Sequence, residues 1–195
     1  MLNSALVTIH DEHRSLAAVV HGLRYLSREM NERQAKPDFS LLWVMVFYLD
    51  EFPEKLHHPK ENSYLFARLR KRTHEADSAI AQLEQQHIVG GRHIRDLEHA
   101  LGHFEAGSPD GLEKFSASVE KFADETVRHM AFEESTLMPL AIKHLTAEDW
   151  VEIGAAFSES GNPCFDAEAD HECRNFFTRI VNLAPPPIGV GAARK

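Results

Sequence analysis

One stretch of the chain places an imidazole and a carboxylate where a packed helix normally carries apolar side chains. Within residues 126–139, His129 and Glu133 are four positions apart and therefore lie on one face of a helix. The same face carries Phe115, Val119, Phe122, Leu137 and Leu140. An acid is rarely buried unless it is paired or bound to a cation. The pattern therefore predicts either a face partly turned to water or a positive charge inside the fold.

This arrangement repeats elsewhere in the chain. There are three His-x-x-x-Glu matches: His57/Glu61, His129/Glu133 and His144/Glu148. The third spans a predicted helix end, and we interpret it as chance. His13 and His87 lie on the apolar faces of two other predicted helices, and their separation nearly equals that between the first two pairs. The repetition predicts a helical hairpin used twice, with inward His and Glu from four helices, as in bundle-core di-iron and di-manganese sites.

Periodicity and helix breakers predict an all-α fold. Four long helices are expected over residues 2–31, 39–71, 73 to about 106, and 112–145, with a clear turn at 107–111. Such a chain favours an up-down-up-down four-helix bundle over residues 1–145. Two extra C-terminal helices, at 146–158 and 166–183, would form an extension over 146–184 that caps the bundle or offers a dimer surface. Residues 185–195 are expected to be a flexible tail.

Two local features of the predicted helices require an explanation. Pro53 and Pro59 flank His57, and each removes a backbone donor, which predicts a kink or a widened turn, or else two shorter helices. Gly90 and Gly91 interrupt the third helix and cost about 2 kcal/mol of helix propensity relative to two alanines. The glycine pair therefore predicts a neighbouring group that needs the space.

The composition limits the class of protein. The chain has 195 residues, with 43% hydrophobic and 26% charged residues, which suits a globular protein with a real core. A net charge of −9 argues against nucleic acid or an anionic membrane surface as the main partner. Neither a signal peptide nor a membrane span is recognisable, and Cys164 and Cys173 are too few for a disulfide framework. We expect a cytoplasmic protein.

Three segments carry a family resemblance. In order they are residues 9–14 (IHDEHR), 57–62 (HHPKEN) and 129–134 (HMAFEE). Together they resemble the hemerythrin-like (HHE cation-binding) domain family over about residues 9–139. The resemblance implies a four-helix bundle around a non-haem di-iron centre with an oxo or hydroxo bridge. It implies that one iron is bound by His13 and His57, the other by His87 and His129, and that Glu61 and Glu133 bridge them.

The sequence departs from the oxygen-carrying members of that family. Those members have a second histidine four residues after the third-helix ligand, and Gly91 stands at that position here. They also bridge with an acid five residues after the fourth-helix histidine, whereas Glu133 follows His129 by four and Glu134 by five. The resemblance therefore implies six protein ligands and a more open, more symmetric site. This pattern is closer to the iron-centre repair, nitric-oxide-responsive and iron- or oxygen-sensing members.

Three functions are consistent with these residues. The first is a non-haem di-iron protein that binds or reduces a small oxidant (O2, peroxide or NO) in redox-stress response or iron homeostasis. The second is a non-enzymatic iron or oxygen sensor or interaction module whose bundle is stabilised by metal. A homodimer is a separate prediction for the partner of this chain. The third is a helical scaffold with an incidental zinc site. Imidazole and carboxylate ligands suit iron, zinc or manganese, and the lack of thiolates in the set disfavours structural zinc.

Other histidines and acids receive less demanding interpretations. His13 or His87 alone would be an ordinary hydrogen-bonded core histidine. His10 and His58 flank predicted ligands and are assigned supporting or surface positions. Glu134 is expected to be exposed or to support a ligand. His99 and His103 share a face with arginines and are interpreted as solvated, although the pair could bind stray zinc.

Overall fold

Six helices make up the regular structure of the described residues. A computed structural model describes residues 4–158, 171–186 and 188–191. The helices are α1 (Ser4–Arg33), α2 (39–72), α3 (Asp77–Glu105), α4 (111–144), α5 (Ala147–Ser158) and α6, described over His171–Leu183. The first four pack as a bundle, which confirms the predicted all-α fold. Within the described part of the chain, every helix is too short or too polar to form a transmembrane segment.

Helices α2 and α4 are continuous but contain widened, π-helical turns. In α2 these turns cover Asp50–His57 and Glu61–Phe66, and in α4 they cover Glu133–Leu137. Pro53 lies inside the first of them, so the widened turn predicted beside His57 is confirmed and α2 is not split into two helices. Each π segment begins or ends at a predicted metal ligand. Such turns are concentrated at functional sites because they re-aim side chains along an otherwise regular helix.

The glycine pair in α3 makes room for an acid from α2. Helix α3 runs through Gly90 and Gly91 without a break. A Cβ atom on Gly90 would lie 3.0 Å from Glu54 Oε1, and one on Gly91 would lie 3.2 Å from Glu54 Oε2. The predicted need for space is therefore confirmed, and the group that uses the space is the Glu54 carboxyl.

Two apolar clusters enclose the middle of the bundle. One cluster uses residues such as Leu23, Leu49 and Phe115, and the other uses residues such as Ile9 and Phe66. In each of the four long helices, the predicted ligands lie in sequence between members of the two clusters. The polar residues therefore occupy a layer with apolar packing above and below it along the bundle.

The C-terminal extension packs against the bundle at two places. In α5, Ile153 and Phe157 are fully buried in the second apolar cluster. In α6, Ile180 joins the first cluster. After the end of α6, Ile188 packs closely against Gly22 of α1, because a Cβ on Gly22 would lie only 2.9 Å from Ile188 Cγ2. The side chains of His171 and Cys173, and all of Cys164, lie outside the described residues.

Asp149 fastens the start of α5 to the end of α2. Its buried carboxylate accepts hydrogen bonds from Arg72 Nε at 2.7 Å, from Arg72 Nη2 at 3.0 Å and from the Thr146 backbone N–H at 2.9 Å. In return, the Asp149 backbone N–H donates to the Thr146 hydroxyl at 3.3 Å. This reciprocal pair is a capping box.

We expect Asp149→Ala to lower the free energy of unfolding by about 2 to 3 kcal/mol, because the change leaves the Arg72 guanidinium and the Thr146 N–H without their acceptor. Urea denaturation measures this loss. The matched control is Glu152→Ala, which removes an exposed ion pair with Arg68 and should cost less than about 1 kcal/mol. Equal losses in the two variants would contradict the role assigned to Asp149.

The contact between Asp149 and Arg72 should make the free energy of unfolding depend on pH. Hydrogen bonding from Arg72 lowers the pKa of Asp149 from its ordinary value of 3.8 to about 2. A carboxyl whose pKa is lowered by folding contributes stability above its unfolded pKa and loses it as the pH falls to the folded value. The stability difference between the wild type and Asp149→Ala should therefore shrink as the pH falls from about 4 toward about 2.

Candidate metal centre

The six predicted ligands converge in the polar layer of the bundle. All six are buried, and Glu61 and Glu133 have no exposed surface. His57 Nε2 lies 2.9 Å from Glu61 Oε1, and His87 Nε2 lies 3.3 Å from Glu61 Oε2. Glu133 Oε2 lies 3.4 Å from His13 Nε2 and 3.8 Å from His129 Nε2. Each carboxylate therefore faces imidazoles from two different helices.

These side chains form two groups that share one carboxylate. The first group contains His13, His57, Glu61 and Glu133, and the second contains His58, Glu61, His87 and His129. Within each group the possible ligand atoms all lie within 4.8 Å of one another. Glu61 belongs to both groups, whereas Glu133 belongs to the first only. The arrangement can hold two cations, with Glu61 between them.

The outer nitrogen of each predicted histidine ligand is engaged by an oxygen atom. In the first group, His57 Nδ1 lies 2.7 Å from Glu12 Oε2, and His13 Nδ1 lies 2.9 Å from Glu134 Oε1. In the second group, His87 Nδ1 lies 3.1 Å from Asn62 Oδ1, and His129 Nδ1 lies 3.1 Å from Gln86 Oε1. When Nδ1–H donates to such an acceptor, Nε2 keeps its lone pair and directs it into the layer. Metal-binding histidines are oriented in this way.

The inner polar atoms have unused bonding capacity. Both oxygens of Glu61 and of Glu133, together with Nε2 of His87 and of His129, are buried without a well-formed hydrogen bond to any described residue. The imidazole–carboxylate distances are short, but their geometry is not that of a hydrogen bond. Buried polar atoms without partners cost free energy, and buried carboxylates cost most. Cations that accept these lone pairs would satisfy all of the atoms together, so the donor set fits a metal centre.

The pKa values of the two carboxyl groups are shifted in opposite directions. Burial raises the pKa of Glu133 to about 7, and the nearby Glu61 carboxylate adds to the rise. Burial also opposes ionisation of Glu61, but the charge of His57 and the close approach of the His13 and His57 imidazoles outweigh it and lower the pKa of Glu61 well below its usual value. The pKa values of two carboxyl groups that share one buried site move apart in this way, because both groups cannot easily be ionised together. A cation bound near Glu133 would stabilise its ionised form beside the Glu61 carboxylate.

The pKa shifts of the histidines also differ between the two groups. Burial lowers the pKa of His57, but the charge of Glu61 and the hydrogen bond to Glu12 outweigh it and raise that pKa to about 9. In the second group, burial lowers the pKa of His58 and of His129 well below the usual value. Neutral imidazole is the form that binds metal. The second group therefore holds two of its histidines ready for a cation.

His58 is the ligand candidate that the sequence interpretation missed. It was assigned a supporting or surface position, yet it is buried and belongs to the second group. Its ring stacks on His87 with centroids 4.0 Å apart and meets His129 edge-on at 5.2 Å. On a regular helix, adjacent residues face different directions, but here a π segment ends at His57 and Pro59 follows. The paired histidines before a proline were the available signal.

The oxygens behind the ligands were also largely missed. Glu12, Asn62 and Gln86 were not singled out, although each is adjacent in sequence to a predicted ligand. Glu134 had been given either an exposed or a supporting position, and it supports His13 and contacts His10 at 3.2 Å. Which acceptor serves which histidine depends on contacts between helices, so no local pattern could reveal it.

Three other histidines considered in the sequence analysis, His99, His103 and His144, belong to neither cation group. His144 Nε2 lies 3.1 Å from Glu75 Oε2, so the third His-x-x-x-Glu match is not a ligand pair in this fold. His99 and His103 line a separate surface groove with Trp43 and Phe47.

The comparisons with known proteins agree with this geometry. Residues 4–141 match the hemerythrin HHE cation binding domain, and the match includes both groups of the candidate centre. No curated protein matches the chain at a significant level. A match over most of the chain, on a helical bundle with convergent His and Glu side chains, shows that this protein belongs to the hemerythrin HHE cation-binding domain family.

Proposed function

We propose that the chain is a non-haem di-iron protein that binds or reduces a small oxidant (O2, peroxide or NO), in redox-stress response or iron homeostasis. One iron would be held by His13, His57 and Glu133, the other by His58, His87 and His129, with Glu61 shared between them. The observation that carries this proposal is shared by four of these histidines, His13, His57, His87 and His129. Their Nε2 atoms face two buried carboxylates, while an oxygen atom engages the Nδ1 of each from behind.

The donor set supports an open, redox-active centre. Each group offers four protein ligand atoms, fewer than an octahedral ion takes, so positions remain for a small ligand. Iron, when bound, supplies one-electron redox changes. The protein contributes fixed imidazoles and two carboxylates that offset the cation charge with an oxo or hydroxo bridge, and apolar clusters pack on both sides of the layer.

Metal analysis and rapid kinetics test this function. Protein from iron-supplemented cells should contain about two irons per chain and show the near-ultraviolet and visible bands of an oxo-bridged pair. The anaerobic ferrous form should react with O2, H2O2 or NO faster than free ferrous iron does. Purification with zinc alone, or with no metal at full helicity, would overturn the assignment of iron.

One contact favours a second candidate, an iron or oxygen sensor. Phe157 of α5 meets the His57 ring edge-on with centroids 6.1 Å apart, and Lys60 Nζ lies 5.4 Å from the Phe157 ring centroid. The extension therefore touches the segment that carries a proposed ligand. Iron-dependent protection of α5 from hydrogen exchange, without oxidant turnover, would favour this candidate. The homodimer and the cytoplasmic location stay predictions from the sequence.

A further inference from the structure

A cavity leads from the protein surface to the second cation group. Its volume is about 240 Å³, and all four helices of the bundle line it. Gln85 and Arg128 are exposed at its mouth, whereas His58 and His129 are buried within it. A molecule entering from solvent therefore meets two proposed ligands of one iron.

The cavity is larger than a diatomic or hydrogen peroxide molecule requires. An engineered apolar cavity of about 150 Å³ accepts benzene. By that scale this cavity has room for about ten non-hydrogen atoms, whereas O2, NO and H2O2 have two each. Leu16, Pro53, Val89 and Phe122 provide apolar walls. The additional space therefore suits the apolar body of an organic molecule.

The polar side chains of the cavity lie beside the cation group. Glu54 Oε2 is 3.6 Å from His58 Nδ1, and that nitrogen is buried without a hydrogen bond to any described residue. The Glu54 carboxyl occupies the space left by Gly90 and Gly91, so its position is set by the backbone of α3. The cavity thus combines a fixed carboxyl next to the cation group with apolar walls.

We propose that the cavity binds an organic hydroperoxide, an alkyl or aryl group that carries –OOH. The –OOH end lies toward the second group, where Glu54 hydrogen-bonds it, and the apolar body packs against Leu16, Val89 and Phe122. This inference rests on the proposed di-iron function and names its substrate class. The hydroperoxide takes up two electrons, one from each of two ferrous ions, and two protons. Its O–O bond breaks, and the products are an alcohol and water.

Filling the cavity from α3 tests the inference. Val89 lines the cavity and is half-buried, whereas its neighbour Ile88 is 54% exposed. Val89→Trp is therefore the test variant, and Ile88→Trp is the matched control. Binding of the product alcohol 2-phenyl-2-propanol to the purified full chain is measured by calorimetry. Oxidation of the anaerobic ferrous protein by cumene hydroperoxide and by H2O2 is measured by stopped-flow absorbance.

The wild type and Ile88→Trp should bind the alcohol and oxidise two ferrous ions per cumene hydroperoxide. Val89→Trp should lose at least about tenfold in both alcohol affinity and cumene hydroperoxide rate, because the indole takes the place of the apolar body. Its H2O2 rate should fall by a smaller factor, because H2O2 has no apolar body for the indole to displace.

Two results would overturn the inference while leaving the di-iron function intact. One is a wild-type protein that binds iron and reacts with H2O2 but does not bind the alcohol. The other is an equal loss of both peroxide rates in Val89→Trp. A protein that binds the alcohol but takes up no iron would overturn the di-iron function, and the hydroperoxide assignment with it.

Discussion

Glu61→Gln should remove both cations from the protein, whereas Glu133→Gln should remove only one. Glu61 is the single side chain common to the two groups, and its two oxygens face His57 and His87 from different helices. Glutamine keeps the size of the side chain but removes the negative charge that offsets the two cations. Glu133 belongs only to the first group, so the second group keeps its four ligand atoms when Glu133 is changed.

Metal analysis of purified variants measures this difference. Iron content should fall from about two per chain to well below one in Glu61→Gln and to about one in Glu133→Gln. Asp149→Ala is the control for a buried acid, since it weakens the fold far from the centre and should retain both irons. Circular dichroism should show full helicity in each variant. Equal iron contents in the two glutamine variants would refute the sharing of Glu61 by two cations.

His58→Ala should leave about one iron per chain, held by the first group. The reason is that His58 supplies one of four ligand atoms to the second group and its ring packs against both of the other histidines there. With a single iron, the magnetic coupling of a bridged pair is lost, so Mössbauer spectroscopy should show an uncoupled site. The control is His10→Ala, whose side chain is 47% exposed and which should keep both irons and their coupling.

The alternative for His58 is a packing role. In that case His58→Ala would lower the thermal stability while iron content and coupling remained those of the wild type. That outcome would restore the supporting position first assigned to this residue, and the second iron would depend on His87 and His129.

The role of Gly91 changes when the structure is considered. From the sequence, a glycine at this position implied a more open coordination site. In the fold, a Cβ on Gly91 would meet Glu54 Oε2 at 3.2 Å, so the glycine accommodates that carboxyl. The second group meanwhile receives a third histidine, His58, from α2. A side chain placed at 91 would therefore require the Glu54 carboxyl to shift by a few tenths of an ångström.

The sequence by itself determined the fold class, and it predicted six ligands whose side chains the fold brings together in one buried layer. Apolar spacing specified four long helices, and helical geometry put His129 and Glu133 on one inward face before any tertiary contact was known. The sequence suffices for these inferences because they depend on local geometry, namely which residues share a face of one helix. The widened turn at Pro53 was predictable for the same reason, since proline removes a backbone hydrogen bond within its own helix.

Only the tertiary structure decided which residues meet across helices. Glu12 reaches His57, Gln86 reaches His129, and Glu54 reaches the space beside Gly90 because the two apolar clusters set the rotation and spacing of the helices. The burial of His58 beside His87 and His129 was not predicted, because a π segment changes the direction of the side chains that follow it, which an ideal helical wheel does not represent. The cavity also depends on all four helices, so it exists only after they have packed.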